Sequence, residues 1–425
     1  MTTARAPARP ATGAVPGARP RVLLTLVLIA AAMPVRVLRS VPGIDSVSLL
    51  DILLAVAALT LFLDLARAPL DLGYPALFAL LGVPAVVCGL SMLWTQDPSA
   101  TFRATLVYGE GLVAYLFVVR ELRGASPGRV MTYIRRYALL LVVPAVLLLL
   151  HVPGFGPEEP GLPTDSDRYL SYYTRLSHPA LGPSNNLATV LAFFVPLLLY
   201  WGHVRHERRF TAAGYVTLAA VLGTLSRGVV LGLLTAAVLA ALGNLLRSRR
   251  MGGRVFGKAV AALVVAVIAV ALLYRLLPHT LVASRFSPAN VLLRSEFAVE
   301  AVEKIAERPF LGYGGGAAPD GMANLARVHD TYLQQMVYFG VLLGALVSLV
   351  LVGTAVFFFS RWRTSGPARV VGFTLIAQLV VFAVESSFEG TVLRVLFYLS
   401  LGLATALVRA SETAPGGLPP SGTRS

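Results

Sequence analysis

Charge is scarce in this chain. Only 13% of its 425 residues are Asp, Glu, Lys or Arg, while 56% are hydrophobic, and a soluble domain carries about twice that share of charge. The deficit excludes a soluble globular protein and indicates a polytopic membrane protein. Cysteine is nearly absent as well. The single thiol, Cys88, sits in an apolar run, so no disulfide framework or cysteine-ligated metal cage is available, and the residue reads as packing material. Phosphate-cradling glycine motifs are missing too. Gly312, Gly314, Gly315 and Gly316 follow neither P-loop nor dinucleotide spacing and form a tight turn instead. Asp165 and Asp167 lack the further ligands of a calcium loop, and His203 and His206 lie in an arginine-rich stretch hostile to cations. No metal and no other cofactor is expected.

Long apolar runs are what the chain has in quantity. Stretches able to cross about 30 Å of hydrocarbon as helices occur near 22–37, 47–63, 74–94, 102–119, 134–152, 186–201, 210–225, 228–246, 258–277, 332–359, 369–385 and 391–409. The expected fold is therefore all-α, with about twelve transmembrane helices over 21–410. Residues 1–20 read as a disordered basic tail, and 411–425 as a second disordered tail.

The net charge of +15 belongs first to topology. Arg120, Arg123, Arg129, Arg135 and Arg136 follow the fourth span; Arg205, Arg208 and Arg209 the sixth; Arg247, Arg249, Arg250, Arg254 and Lys258 the eighth; and Arg361, Arg363 and Arg369 the tenth. About two thirds of all Lys and Arg fall on this side, which the positive-inside rule makes cytoplasmic. Both termini are then cytoplasmic, in a multi-pass protein of the cytoplasmic membrane, and the long loops 153–185 and 278–331 face outward. The basic runs serve topology and attraction to membrane lipids, with no nucleic-acid partner implied.

Those two loops exceed ordinary connectors. In the second, Phe297, Ala301 and Ile305 recur every four residues with Ala298 and Val302 beside them, while Arg294, Glu300, Glu303, Lys304 and Glu307 take other faces. The pattern predicts a surface helix over 291–307, with Asn290 as N-cap and Pro309 as stop.

Four outward features suggest an anionic, lipid-linked substrate. Arg227 stands in the short turn Thr224-Leu225-Ser226-Arg227-Gly228, where an ionisable group at membrane depth either serves function or snorkels to headgroups. Arg285 and Arg294 open the long loop, and guanidinium forks suit phosphate oxygens, although Arg294 has glutamate neighbours to pair with. His329 precedes span ten and is able to take a proton from an attacking hydroxyl. The stretch Arg175 to Asn186 is a Pro- and Gly-shaped turn in which Arg175 or His178 faces the same cavity, or else a plain helix start capped by Asn185. Glu110, inside span four, is expected to face the bundle interior.

Thr224 to Leu233 (TLSRGVVLGL), Arg308 to Gly316 (RPFLGYGGG), and His329 to Leu333 followed by Gly340 resemble, in order and spacing, the pattern of the O-antigen ligase and polymerase superfamily. Arg175 to Ala188 is similar to its turn before a helix. The resemblance implies a GT-C-like glycosyltransferase that moves a glycan from a polyprenyl (undecaprenyl) diphosphate carrier to a glycan or lipid acceptor, without a metal, alongside polysaccharide-assembly partner proteins. It implies that Arg227 and Arg285, or Arg294, bind the diphosphate and that His329 is the base. One departure stands: the family commonly has His-Asn where this chain has His329-Asp330. Two other classes fit the residues, a lipid-linked saccharide flippase and a peptidoglycan polymerase relying on Asp320 or Asp330.

Overall fold

The computed structural model describes residues 21–33, 36–38, 47–67, 69–150, 176, 184–247, 288–317, 319, 330–361, 365–383 and 391–413. Among them are twelve α-helices: α1 (Val22–Ala32), α2 (Leu49–Leu65), α3 (Pro75–Leu90), α4 (Pro98–Glu121), α5 (Pro127–Leu149), α6 (Ser184–Arg205), α7 (Arg208–Gly223), α8 (Arg227–Arg247), α9 (Pro288–Glu307), α10 (Thr331–Ser360), α11 (Gly366–Phe382) and α12 (Thr391–Thr413). Every expected apolar stretch coincides with a helix except 258–277, which lies outside the described residues. Among the described residues, six helices are long and apolar enough to cross a membrane: Pro75–Leu93, Pro98–Glu121, Pro127–Leu149, Ser184–Arg205, Thr331–Ser360 and Val392–Thr413. The chain is an all-α, multi-pass membrane bundle.

The first expected span is shorter than its sequence suggests. α1 stops at Ala32, about 16 Å of helix, and the chain continues as a strand, β1 (Arg36–Leu38), antiparallel to β2 (Val47–Ser48). Ser48 and Asp51 then close a capping box on α2, each side chain accepting from the other residue's backbone N–H.

Close helix approach depends on small residues, as expected where lipid leaves no hydrophobic drive between helices. On α4, a Cβ added to Gly111 would meet the Tyr398 ring of α12 at 2.7 Å, and on α8 one added to Gly232 would meet the Ala377 carbonyl of α11 at 2.6 Å. The basic connections gather at one end of the bundle. There Arg120 pairs with Asp64, Arg409 with Asp71 at 2.8 Å, and Glu412 accepts from both Tyr74, at 2.7 Å, and Arg361.

At the opposite, distal end α10 departs from the single span read in the sequence. Gly340 has φ 75° and ψ 175°, which breaks the helix into a first limb, 331–339, and a second, 341–360. The limbs fold back on each other: a Cβ on Gly344 would lie 2.6 Å from the Gln335 carbonyl oxygen and the Met336 Cα, which in a straight helix would be about 12 Å away. Thr331 thus begins its limb inside the bundle, level with Val347 and Leu351, with which it shares a cavity wall. The second limb alone, about 20 residues, is enough to span.

Candidate functional site

The site is built from the distal ends of α6, α7, α8, α10 and α11. Between α7 and α8, Thr224 and Ser226 are buried, and Thr224 Oγ1 donates to the Val221 carbonyl at 2.6 Å while accepting from the Ser226 N–H at 3.3 Å. The intervening Leu225 is held at φ 54°, a left-handed conformation that costs a side-chain-bearing residue roughly 1–3 kcal/mol. This strained turn delivers Arg227, half-buried, as the first residue of α8.

A second stretch meets the same turn. The Leu176 N–H donates to the Gly223 carbonyl at 3.0 Å, and the Leu176 side chain packs on Gly223. The segment singled out from Arg175 to Asn186 is therefore joined, through Leu176, to the turn before Arg227. Arg175 and His178 themselves lie outside the described residues. α6 begins at Ser184, so Asn185 is the second helical residue and not a cap, the role it has in one of the two readings of this stretch.

α9 covers 288–307, three residues earlier than expected, which makes Asn290 helical and not its N-cap. Ala301 and Ile305 pack inward as the periodicity requires, but Val302, expected beside them, is exposed. The side chain of Arg294 and all of Arg285 lie outside the described residues. Past Pro309 the chain makes the tight turn read from the sequence. Tyr313 and Gly314 N–H groups donate to the Val337 and Tyr338 carbonyls at 3.1 and 2.8 Å, and Val341 N–H to the Pro309 carbonyl at 2.7 Å. The turn thus satisfies backbone groups that the break in α10 leaves without helical partners. It allows no side chain at its contact, since a Cβ on Gly312 would lie 2.5 Å from the Gly340 nitrogen.

Side chains lock this junction. Arg308 stacks over the Tyr313 ring at 4.9 Å, and Tyr313 OH donates to Glu307 at 2.6 Å. Donation from Lys304 and Tyr313 holds the Glu307 carboxyl below the usual carboxylate range. Trp94 Nε1 donates to the Leu311 carbonyl at 2.7 Å and the Gly315 N–H to Ser91 Oγ at 3.0 Å. Cys88, fully buried against Gly315, is packing as expected.

His329 lies outside the described residues, but its neighbour Asp330 has an evident task. Its Oδ1 accepts from the N–H groups of Tyr332 at 2.8 Å and Leu333 at 3.1 Å, capping the first limb of α10. Asn performs this task equally well, so a His-Asp pair in place of His-Asn preserves the cap. Tyr332 OH donates to the Leu379 carbonyl of α11 at 2.8 Å. Residues 377–381 of α11 therefore contact both the start of α10, through Tyr332, and Gly232 of α8, about 7 Å along the axis from Arg227.

The interior at this end is polar and under-bonded. Ser184 Oγ, Ser226 Oγ, both amide atoms of Gln334, and the Oε1 atoms of Gln335 and Gln378 are buried without a hydrogen-bond partner, while Gln378 Nε2 donates to the Thr189 carbonyl at 2.9 Å. Each orphaned group costs about 1–3 kcal/mol unless a ligand or water satisfies it. The sequence reading passed over these glutamines because an uncharged amide barely alters the hydropathy of a span. It also passed over Arg394, inside the last apolar stretch and 6% exposed, although the rule that flagged Glu110 applies to it equally. Glu110 itself is half-buried. No family model matches the chain, and no curated protein matches it.

Proposed function

We propose that the protein is an inverting, metal-independent glycosyltransferase of multi-span, GT-C-like layout, acting at the outer face of the cytoplasmic membrane with both termini inside. It transfers saccharide units from an undecaprenyl diphosphate carrier to a glycan or other acceptor. The observation that carries the reading is the bond from the Leu176 N–H to the Gly223 carbonyl. It joins two stretches that the sequence reads as substrate-handling, immediately before a half-buried arginine in a polar, under-bonded end of the bundle.

In this reading Arg227, with Arg285 or Arg294 and Arg175, grips the diphosphate through charge-assisted N–H···O bonds. His329 takes the proton of the acceptor hydroxyl as its oxygen attacks the anomeric carbon. The bond from that carbon to the diphosphate oxygen breaks, and the carrier diphosphate leaves with the electron pair. Cations already neutralise it, so it needs no proton.

Membranes bearing Arg227→Ala or His329→Ala should form no polymer while the protein remains inserted; normal polymer length in both variants would defeat the proposal. Purified protein given carrier-linked glycan separates the flippase class, because only an enzyme releases free carrier diphosphate. Greater sensitivity to Asp320→Ala than to His329→Ala would favour the peptidoglycan class.

A further inference from the structure

Two unfavourable features meet in the residues just before Arg227. Leu225 sits at φ 54°, a backbone region that suits glycine and not a side-chain-bearing residue. Ser226 directly precedes α8 and so holds its N-cap position, where a serine oxygen ordinarily accepts from the N–H of the second or third helical residue. Here it makes no such bond: Ser226 is 1% exposed and its Oγ has no hydrogen-bond partner. The backbone of Ser226 is engaged, its N–H with Thr224 Oγ1 at 3.3 Å and its carbonyl with the Val230 N–H at 3.2 Å. Only the hydroxyl is idle.

The N–H groups that this cap would bond are those of Gly228 and Val229, at the leading end of a 21-residue helix. The helix dipole adds positive potential there, and an oxyanion suits such donors as well as a serine oxygen does. An oxyanion would also give the Ser226 hydroxyl an acceptor. Cap and anion therefore compete for the same donors. The segments on either side are held: the Leu176 N–H bonds the Gly223 carbonyl at 3.0 Å, and Gly232 seats α8 against the Ala377 carbonyl of α11. A rearrangement is thus confined to the turn and the first residues of α8.

We propose that Thr224 to Ser226 form a two-state turn that responds to an oxyanion at the start of α8. In the arrangement described, Leu225 is left-handed and the leading N–H groups are left to the anion. In the other, Ser226 Oγ caps those groups, Leu225 relaxes to an ordinary backbone conformation, and Arg227 turns with it. Anion binding selects the first arrangement and so sets where Arg227 stands. That the anion is a carrier diphosphate rests on the glycosyl-transfer reading; the switch itself does not.

The test is amide hydrogen exchange over residues 222–232, read by mass spectrometry on full-length protein in nanodiscs. Inorganic diphosphate should slow exchange of this segment in the parent protein, and potassium chloride at equal ionic strength should not; no slowing, or equal slowing by chloride, overturns the proposal. Ser226→Ala deprives the competing arrangement of its cap, so exchange without diphosphate should slow about fivefold, and diphosphate should then add little. A static turn predicts the reverse, because losing a hydroxyl protects nothing: unchanged or faster exchange in Ser226→Ala overturns the switch. Should that variant fail to fold, Leu225→Gly serves. Glycine relieves the left-handed residue although it loosens most backbones, so slower exchange supports the switch and faster or unchanged exchange overturns it. These exchange changes in a protein that makes no polymer from carrier-linked glycan would refute the transfer reaction and leave the switch standing; polymer made with exchange unaltered would refute the switch alone.

Discussion

Gln334 shows how a single residue separates packing from purpose. Both of its amide atoms are buried without partners, so Gln334→Leu removes an unpaid desolvation cost and should leave the protein at least as stable, by up to roughly 3 kcal/mol. A thermal melt in detergent checks this. If the amide receives a polar ligand, the same variant loses activity despite its higher melting temperature. Carboxylates supply a pH signature. Asp97, accepting from the Ala100 N–H and the Ser99 hydroxyl, and Glu307, accepting from Lys304 and Tyr313, both titrate below their ordinary values. A depressed folded pKa gives stability that is present above the unfolded value and lost as pH falls through the folded one. Acid should therefore loosen the start of α4 and the α9 junction below about pH 4, seen as faster hydrogen exchange there than at pH 7. Arg227 and Glu110 were legible as isolated charges in apolar surroundings, although Arg394, equally isolated, was passed over. Arg227 stood out in a short turn; the strained Leu225 two residues before it did not, since nothing in its identity announces a left-handed backbone.

Among elements, α10 holds the clearest disparity between pattern and geometry. Its apolar run reads as one continuous span, and Gly340 within it resembles an ordinary tolerated glycine. The structural reason for that glycine comes from elsewhere in the chain: residues 309–314 occupy the space beside it and bond to the limb it ends. Periodicity reports a helix's own faces and carries no record of a distant turn pressed against its backbone. Gly340→Ala should destabilise the protein by at least about 2 kcal/mol, since it adds both left-handed strain and a collision with the Phe310 carbonyl. A lowered melting temperature, with the smaller effect at Gly82, where an added Cβ meets nothing, is the measurement. By contrast α9 was legible nearly to its ends, because Ala301 and Ile305 bury at the four-residue spacing that the sequence displays.

For the whole molecule, the charge asymmetry written in the loops reappears as a physical girdle of paired arginines around Asp64, Asp71 and Glu412. Since Cys88 is fully buried, the native chain should be silent to a membrane-impermeant maleimide. Cysteines placed at Gln96 and at His203 should then label from opposite sides in intact cells, Gln96 from outside. Labelling of both from one side would contradict the orientation. The number of spans was less legible than their existence, because mean hydropathy measures composition while crossing also demands length: α1 falls short and α10 folds back. That last feature bears on how the chain is made. The insertion machinery meets Thr331 to Ser360 as a single greasy passenger, yet only its latter part stays threaded across. The leading third must slip back and wedge beside its own follower, and the glycine turn, synthesised earlier, is already waiting to latch it.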